Sequence, residues 1–477
     1  MLRRTAKTLI LALALGAFAT AAFAQVDFTR YVALGDSLTA GFWSGGLVST
    51  VQVNSYPALL YRQATGSSTG FEQPLVKYPG LPNALQLVQL VPTVIIAPAP
   101  GTGVPLNLNL GRPYNNLGVP GSRVHDTVAT TTGGLHDLIL RNANPAFGNT
   151  TALQQALFQK PTFVTLWIGN NDVLGAATSG IVIDGVTLTT VDSFDRDFRT
   201  IMANLKGSGA KIAVANIPDV TSIPFITTVP SVLVNPATRK PVLVNGATVP
   251  LIGPKGLLTA ADHVLLTAQA DLAKGIGIPK AAGGTGLPLP DSDVLDAQET
   301  ATIKARIAAF NGIIAQATGD ANGALVDANA LLNDLANHGL DIGGVTFTNS
   351  YLTGGVFSYD GVHPTPFGYA VVANAFVDAI NAKFNVSIPE VDLYPFLFGT
   401  PGVGGTPAAN ASALARAQLS PEALRNLFWV LQGDAKSDDN GGVGNGDNGG
   451  TGGNGGDVTP PPPPTRKPNR RGQHNGG

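Results

Sequence analysis

An α/β fold with a central parallel sheet, covered by helices on both faces, is what the sequence predicts, on three observations. Continuous apolar runs of strand length occur at Tyr31-Val32-Ala33-Leu34 and Thr162-Phe163-Val164-Thr165-Leu166-Trp167-Ile168. Shorter runs follow at Lys211-Ile212-Ala213-Val214-Ala215 and Ala324-Leu325-Val326. Amphipathic stretches of helical period separate the later ones. Strands of this kind, alternating with helices, imply a parallel sheet buried on both sides. Functional groups then gather at the carboxyl ends of the strands.

Each element follows from local pattern. The first strand runs into Gly35-Asp36-Ser37-Leu38, which places Ser37 on the strand-to-helix turn, where an alcohol can be presented as a nucleophile. Gly35 and Gly41 bracket that turn and permit tight backbone geometry. The Thr162–Ile168 strand ends at Gly169-Asn170-Asn171-Asp172. Phe194, Phe198, Ile201 and Leu205 then share a helical face, with Gly207 as a stop signal before Lys211–Ala215. Ile303, Ile307, Phe310 and Ile314 mark a second helix feeding the strand at Ala324. A closing helix has Thr365 as N-cap, Pro366 in its first turn, and Tyr369, Val372, Phe376 and Ile380 on one stripe.

Three stretches fall outside this pattern. Residues of about 61–112 are rich in Pro and Gly and carry no assignable period. Ile181–Thr189 alternates around Asp184-Gly185 and reads as a small hairpin. The largest, about 221–290, reads as a hairpin followed by an apolar helix from Thr259 to Lys274, serving as a lid or acyl-binding wall, or simply as a packed subdomain. A last helix is expected from Ser420-Pro421, with Leu424, Leu427, Phe428 and Leu431 on one side.

Residues 1–24 read as an export signal. Arg3, Arg4 and Lys7 precede an apolar stretch from Leu9 to Ala22, and Ala22-Phe23-Ala24 fits a small-x-small cleavage site before Gln25. No later segment approaches the ~20 apolar residues a membrane span needs. The mature protein is therefore expected to be secreted or periplasmic, with no transmembrane segment after cleavage. Residues 25–432 form the expected domain, and 433–477 a disordered tail of Gly, Asn, Asp and Pro without Leu, Ile or aromatic residues. One calcium-binding nonapeptide-like match at 452–457 stands alone, where such sites need stacked turns. The chain has no cysteine, which excludes disulfides, thiol catalysis and thiolate metal sites. Its net charge of −2, with no basic run before the extreme C-terminus, argues against a nucleic-acid partner.

Four blocks carry the chemistry. Gly35-Asp36-Ser37-Leu38 offers an alcohol, and Asn116-Leu117-Gly118-Val119-Pro120-Gly121 a glycine whose N–H can face a cleft. Gly169-Asn170-Asn171-Asp172 offers a side-chain amide able to donate to an oxyanion. Asp360-Gly361-Val362-His363, followed by Pro364, offers an acid that can bond one ring nitrogen and leave the other facing Ser37. His125 and His136 lack an acid at that spacing and read as surface or cap residues. His263 falls on the insertion helix, His338 before a glycine turn and His474 in the tail. No pair makes a metal-ligand pattern, so neither metal nor cofactor is expected. Asp36 and Asp172 read as organisers of backbone.

Order and spacing of these blocks resemble the GDSL, or SGNH, hydrolase family, larger exported bacterial lipases and esterases in particular. The resemblance spans about Tyr31 to Phe384 and implies a flavodoxin-like three-layer α/β/α sandwich. It implies Ser37 as nucleophile, His363 as base and Asp360 as the acid that orients it. The Ser37 and Gly121 amides and the Asn171 side chain would be the oxyanion donors. The expected activity is hydrolysis of a small-molecule or lipid ester through an acyl-enzyme. A polysaccharide O-deacetylase or an acyltransferase would use the same residues, and a non-catalytic envelope- or glycan-binding protein is the reading from another class.

Overall fold

The computed structural model describes residues 26–89, 95–235 and 240–396, and the backbone of 418–419. The expected signal peptide, the helix from Ser420 and the tail from 433 lie outside the described residues.

Five parallel strands build the central sheet. In chain order they are β1 (Tyr31–Gly35), β2 (Asn116–Gly118), β3 (Phe163–Trp167), β4 (Lys211–Ala215) and β5 (Ala324–Val326). Their spatial order is β5-β4-β3-β1-β2, all paired in parallel. Reading 2-1-3-4-5, this is the flavodoxin-like arrangement, in which the chain reverses direction across the sheet between β1 and β3. Helices α1 (Ser37–Ala40), α2 (Tyr56–Thr65), α3 (Val124–Ala129), α4 (Ala152–Phe158) and α5 (Asn171–Ser179) belong to the first part. They are followed by α6 (Val191–Gly207), α7 (Ala297–Asp320) and α8 (Pro366–Phe384).

Side chains alternate across the strands and so make two cores. On one face Val32, Leu34, Val164, Leu166, Ile212 and Val214 meet Phe194, Phe198 and Ile201 of α6 and Ile303, Ile307 and Phe310 of α7. On the other, Tyr31, Ala33, Phe163, Trp167, Ala213 and Ala215 meet Tyr56 and Leu59 of α2 and Tyr369, Ala373, Phe376 and Ile380 of α8. Alanines dominate the middle of that second face, which leaves room for aromatic rings: Tyr56 stacks on Phe376 at 4.5 Å. The predicted caps hold α8 in place, since the Thr365 hydroxyl accepts from Gly368 N at 3.2 Å and Pro366 opens the helix.

Departures from expectation lie in the connections. Strand β2 is missing from the sequence reading, because three residues between turns carry no apolar run; pairing with Ala33–Gly35 makes it a strand. Ile181–Thr189 is not a hairpin. Asp184 and Leu188 form a single bridge, and the Ile183 carbonyl accepts from the amides of Val186, Thr187 and Leu188, which closes a tight loop instead. No helix runs from Thr259 to Lys274. His263–Val264 pairs with Val294–Leu295, and only a 3₁₀ turn at Leu266–Ala268 and one α-turn at Gln269–Leu272 remain. Asp293 overrides the helical propensity: its carbonyl takes the Leu265 amide and its carboxylate the Thr267 hydroxyl. Within 221–290, Leu243–Val244 and Ala247–Thr248 form a hairpin, and a small core of Leu251, Leu258, Val264 and Leu289 makes the stretch a packed subdomain.

Phe310 is fully buried and stacks on Phe194 at 3.8 Å. Phe310→Ala should lower unfolding stability by about 3–5 kcal/mol. Phe158 is 72% exposed, and Phe158→Ala should change stability by less than about 0.5 kcal/mol. Urea unfolding of both variants checks the contrast.

Candidate active site

Glycine geometry brings β1, β2 and β3 close enough to place three loops side by side. A Cβ on Gly35 would stand 2.1 Å from Thr39 Oγ1 and 2.3 Å from the Trp167 carbonyl. One on Gly118 would lie 2.6 Å from Ala40 N, so the β2 strand end and α1 meet backbone to backbone. Asp36 caps α1 by accepting from Leu38 N at 3.0 Å, which sets Ser37 as the first helical residue. An N–H at that position has no partner inside its helix.

The four sequence blocks are tied together at these strand ends. Ser37 Oγ lies 2.8 Å from His363 Nε2, and His363 Nδ1 lies 2.8 Å from Asp360 Oδ2. Asn170 Nδ2 donates to Asp36 Oδ2 at 2.8 Å, which joins the third block to the first. Asn171 Nδ2 donates to the Ser122 carbonyl at 2.9 Å, one residue beyond Gly121. Val124 N donates to Asp172 Oδ2 at 2.9 Å, so that the segment just after the second block is bonded twice to the third. Asp36 and Asp172 therefore do organise backbone and neighbouring side chains. Gly121 adopts φ of +87°, a left-handed conformation that favours glycine.

Asp360 is fully buried, yet its carboxyl is held below the usual carboxylate range. Burial pushes it up, but the charge of His363 and the hydrogen bonds from the His363 ring and the His363 and Val362 amides more than offset this. Five hydrogen bonds reach it: Val362 N, His363 N and the Ser358 hydroxyl on Oδ1, Gly45 N and His363 Nδ1 on Oδ2. With Nδ1 bonded to Oδ2, the ring turns Nε2 to the Ser37 hydroxyl, where it can exchange a proton with it. Tilted against Phe42 at 4.8 Å, the imidazole is 1% exposed and Ser37 5%.

Sequence reasoning missed the supports. Ser44 and Gly45 reach the Asp360 loop across 314 and 315 positions, with Ser44 N donating to the Ser358 hydroxyl at 2.9 Å. Nothing local to Ser44-Gly45 signals that contact. Asn170 was legible only as the neighbour of Asn171. Among the other histidines, His125 Nδ1 pairs with Asp197 Oδ2 at 2.9 Å on a half-exposed ring, and His338 pairs with Asp334. His263 lies on the Val294–Leu295 pairing instead of a helix, and burial lowers its pKa. His136, part-buried in the first turn of the helix Gly134–Leu140, also shares a hydrogen bond of 3.1 Å with the Ser122 hydroxyl, a contact the sequence did not show. Among the described residues, no cluster of three or more His, Asp or Glu could hold a metal ion, and no helix is long and apolar enough to cross a membrane.

A doubly wound parallel sheet with a serine, an imidazole and a carboxylate in line at its strand ends defines a hydrolase-class α/β protein. Residues 31–376 match the family model of the GDSL-like lipases and acylhydrolases, so the chain belongs to that family and is a carboxylic ester hydrolase. No curated protein matches it. Among solved structures it is similar to the lipase/acylhydrolase of Enterococcus faecalis, at 13% identity and a TM-score of 0.31, over 76% of this chain and 100% of that one. It is also similar to a catalytic mutant of the acetylxylan esterase Axe2 of Geobacillus stearothermophilus, at 12% identity and 0.34, over 77% and 100%. A third is LAE5, an alpha/beta hydrolase enzyme from the metagenome of Lake Arreo, at 13% and 0.33, over 75% and 99%. Likeness at this level carries no statement about substrate.

Burial raises the Asp172 pKa from an ordinary 3.8 to about 7, against the lowering effect of its bond from Val124. The folded chain thus holds that proton more tightly than the unfolded one, and stability is lost as pH rises from near 4 towards 7. Asp172→Asn keeps the acceptor for Val124 N and removes the ionisation. Urea unfolding at about pH 4, 5.5 and 7 should show the variant gaining on the wild type as pH rises; a constant difference contradicts the assignment.

Proposed function

We propose that the protein is an exported serine esterase or lipase that works through an acyl-enzyme on Ser37, with His363 as base and Asp360 orienting it. The observation that supports this most strongly is the unbroken chain from Ser37 Oγ through the His363 ring to a buried, ionised Asp360, with each bond 2.8 Å long. In the first half-reaction Ser37 Oγ attacks the ester carbonyl carbon while its proton passes to His363 Nε2. The carbonyl oxygen takes up the negative charge and is received by the Ser37 and Gly121 N–H groups and the Asn171 side-chain amide. One Asn171 hydrogen is committed to the Ser122 carbonyl, which aims the other. When the tetrahedral intermediate collapses, His363 returns the proton to the departing alkoxide. Water then attacks the acyl carbon, gives its proton to His363 and releases the acid, and Ser37 recovers its hydrogen.

Apolar stretches in the insertions support a lipid or aliphatic acyl ester as the substrate. Val104, Leu106 and Leu108, at alternate positions of the first insertion, are 50%, 53% and 44% exposed. The basic start, apolar stretch and Ala22-Phe23-Ala24 site support export before Gln25.

Ser37→Ala and His363→Ala should each lower turnover of p-nitrophenyl esters by roughly 10³-fold or more. Asn171→Ala should lower it by ~10²–10³-fold. A fluorophosphonate probe should label the wild type and not Ser37→Ala; wild-type turnover by Ser37→Ala would sink the proposal. An acetate-to-palmitate series, with and without an alcohol acceptor, separates a lipase from a deacetylase acting on acetyl groups alone and from an acyltransferase. Protein recovered outside the cytoplasm should begin at Gln25.

A further inference from the structure

Two of the three proposed oxyanion donors depend on a single residue between them. Ser122 follows Gly121, and its carbonyl takes the Asn171 side-chain hydrogen at 2.9 Å. Left alone, this arrangement would be loose. Gly121, at φ of +87°, is a residue with more backbone freedom than any other, and an Asn side chain can turn about two bonds. The Ser122 peptide must therefore be held from outside.

Two contacts hold it. Ser122 N donates to the Val119 carbonyl at 3.1 Å, which closes the turn around Gly121. The Ser122 hydroxyl, on a residue only 3% exposed, shares a bond of 3.1 Å with His136 Nε2. His136 stands on a short helix, Gly134–Leu140, that is itself anchored: Leu135, Leu138, Ile139 and Leu140 are buried in the core. Its start is tied down by Asp137, whose Oδ1 accepts from the Thr132 hydroxyl at 2.6 Å and from Gly133 N at 3.0 Å. A ring fixed on a packed helix thus meets the hydroxyl of the residue whose carbonyl aims Asn171.

We infer that His136 and Ser122 are positioning residues for the oxyanion donors, a second hydroxyl–imidazole couple that fixes geometry and forms no bond to substrate. This rests on the roles proposed above for Gly121 and Asn171. An amide donor set about 1 Å from the developing charge loses much of its effect on the transition state, whereas ground-state binding hardly depends on it. The loss therefore falls on kcat and spares KM. It also runs through Asn171, so the two residues are coupled.

The test uses the full chain with a p-nitrophenyl ester and the variants His136→Ala, His136→Gln, Ser122→Ala, Asn171→Ala and the His136→Ala/Asn171→Ala double variant. His136→Ala and Ser122→Ala should each lower kcat about 10-fold, with KM within about twofold of wild type. His136→Gln, which keeps a polar nitrogen near the hydroxyl, should restore part of the loss. The double variant should be slower than Asn171→Ala by clearly less than the factor that His136→Ala alone costs, because one of the two groups that His136 positions is already gone. Full kcat in both His136→Ala and Ser122→Ala overturns the inference, as does a double variant in which the two losses multiply. If His136→Ala does not fold, Ser122→Ala and its combination with Asn171→Ala give the same reading. Loss in Ser37→Ala and Asn171→Ala without loss in His136→Ala or Ser122→Ala sinks this inference alone, whereas full activity in Ser37→Ala sinks the reading beneath it.

Discussion

A carboxylate with no exposed surface stays ionised only if donors take over from water, and Asp360 gathers them from its own loop, from the imidazole and from the turn after α1. The rest of the site follows from that one group. Its bond to Nδ1 of His363 settles which ring nitrogen faces Ser37. Its bond from Gly45 ties the start of the fold to its end, and Ser44, paired with Ser358 in the same way, doubles the tie. Replacing such donors with apolar groups would leave a buried charge uncompensated, far worse than losing one ordinary hydrogen bond.

The sheet makes this convergence possible by keeping two strand ends free of bulk. Gly35 and Gly118 allow β1, β2 and α1 to meet without side chains between them, and Val119 N closes onto the Gly35 carbonyl at 2.9 Å. Alanines on the face beneath α2 and α8 do the same for the helix layer, where the aromatic groups of Tyr56, Trp167 and Phe376 fill the volume. Packing and chemistry are therefore set by the same small residues. A larger side chain at Gly35 would disturb the serine turn before it disturbed the core.

Four of the five strands and the helices α6, α7 and α8 were legible because continuous apolar runs and a 3.6-residue period record burial directly. Strand β2 was not, since its three residues become a strand only by pairing with β1. The Thr259–Lys274 helix was misread for the opposite reason: its local preference is helical, and a distant partner at Asp293–Leu295 outweighs it. At the site, Ser37, Asp360, His363, Gly121 and Asn171, the residues proposed to carry the chemistry, stand out by residue type and order. Their supports do not. Ser44, Gly45, Ser122 and His136 act through backbone groups or through partners far along the chain, and composition holds no trace of such contacts.

The pairing of Ser37 with His363 spans 326 positions. A ribosome delivers the alcohol early and the imidazole late, so a growing chain carries an inert hydroxyl whatever part of the sheet has already formed. If the two act as proposed, reactivity arrives only when the segment leading into α8 brings His363 to Ser37. On the roles proposed for the two residues, long separation thereby gives the molecule latency during its own synthesis.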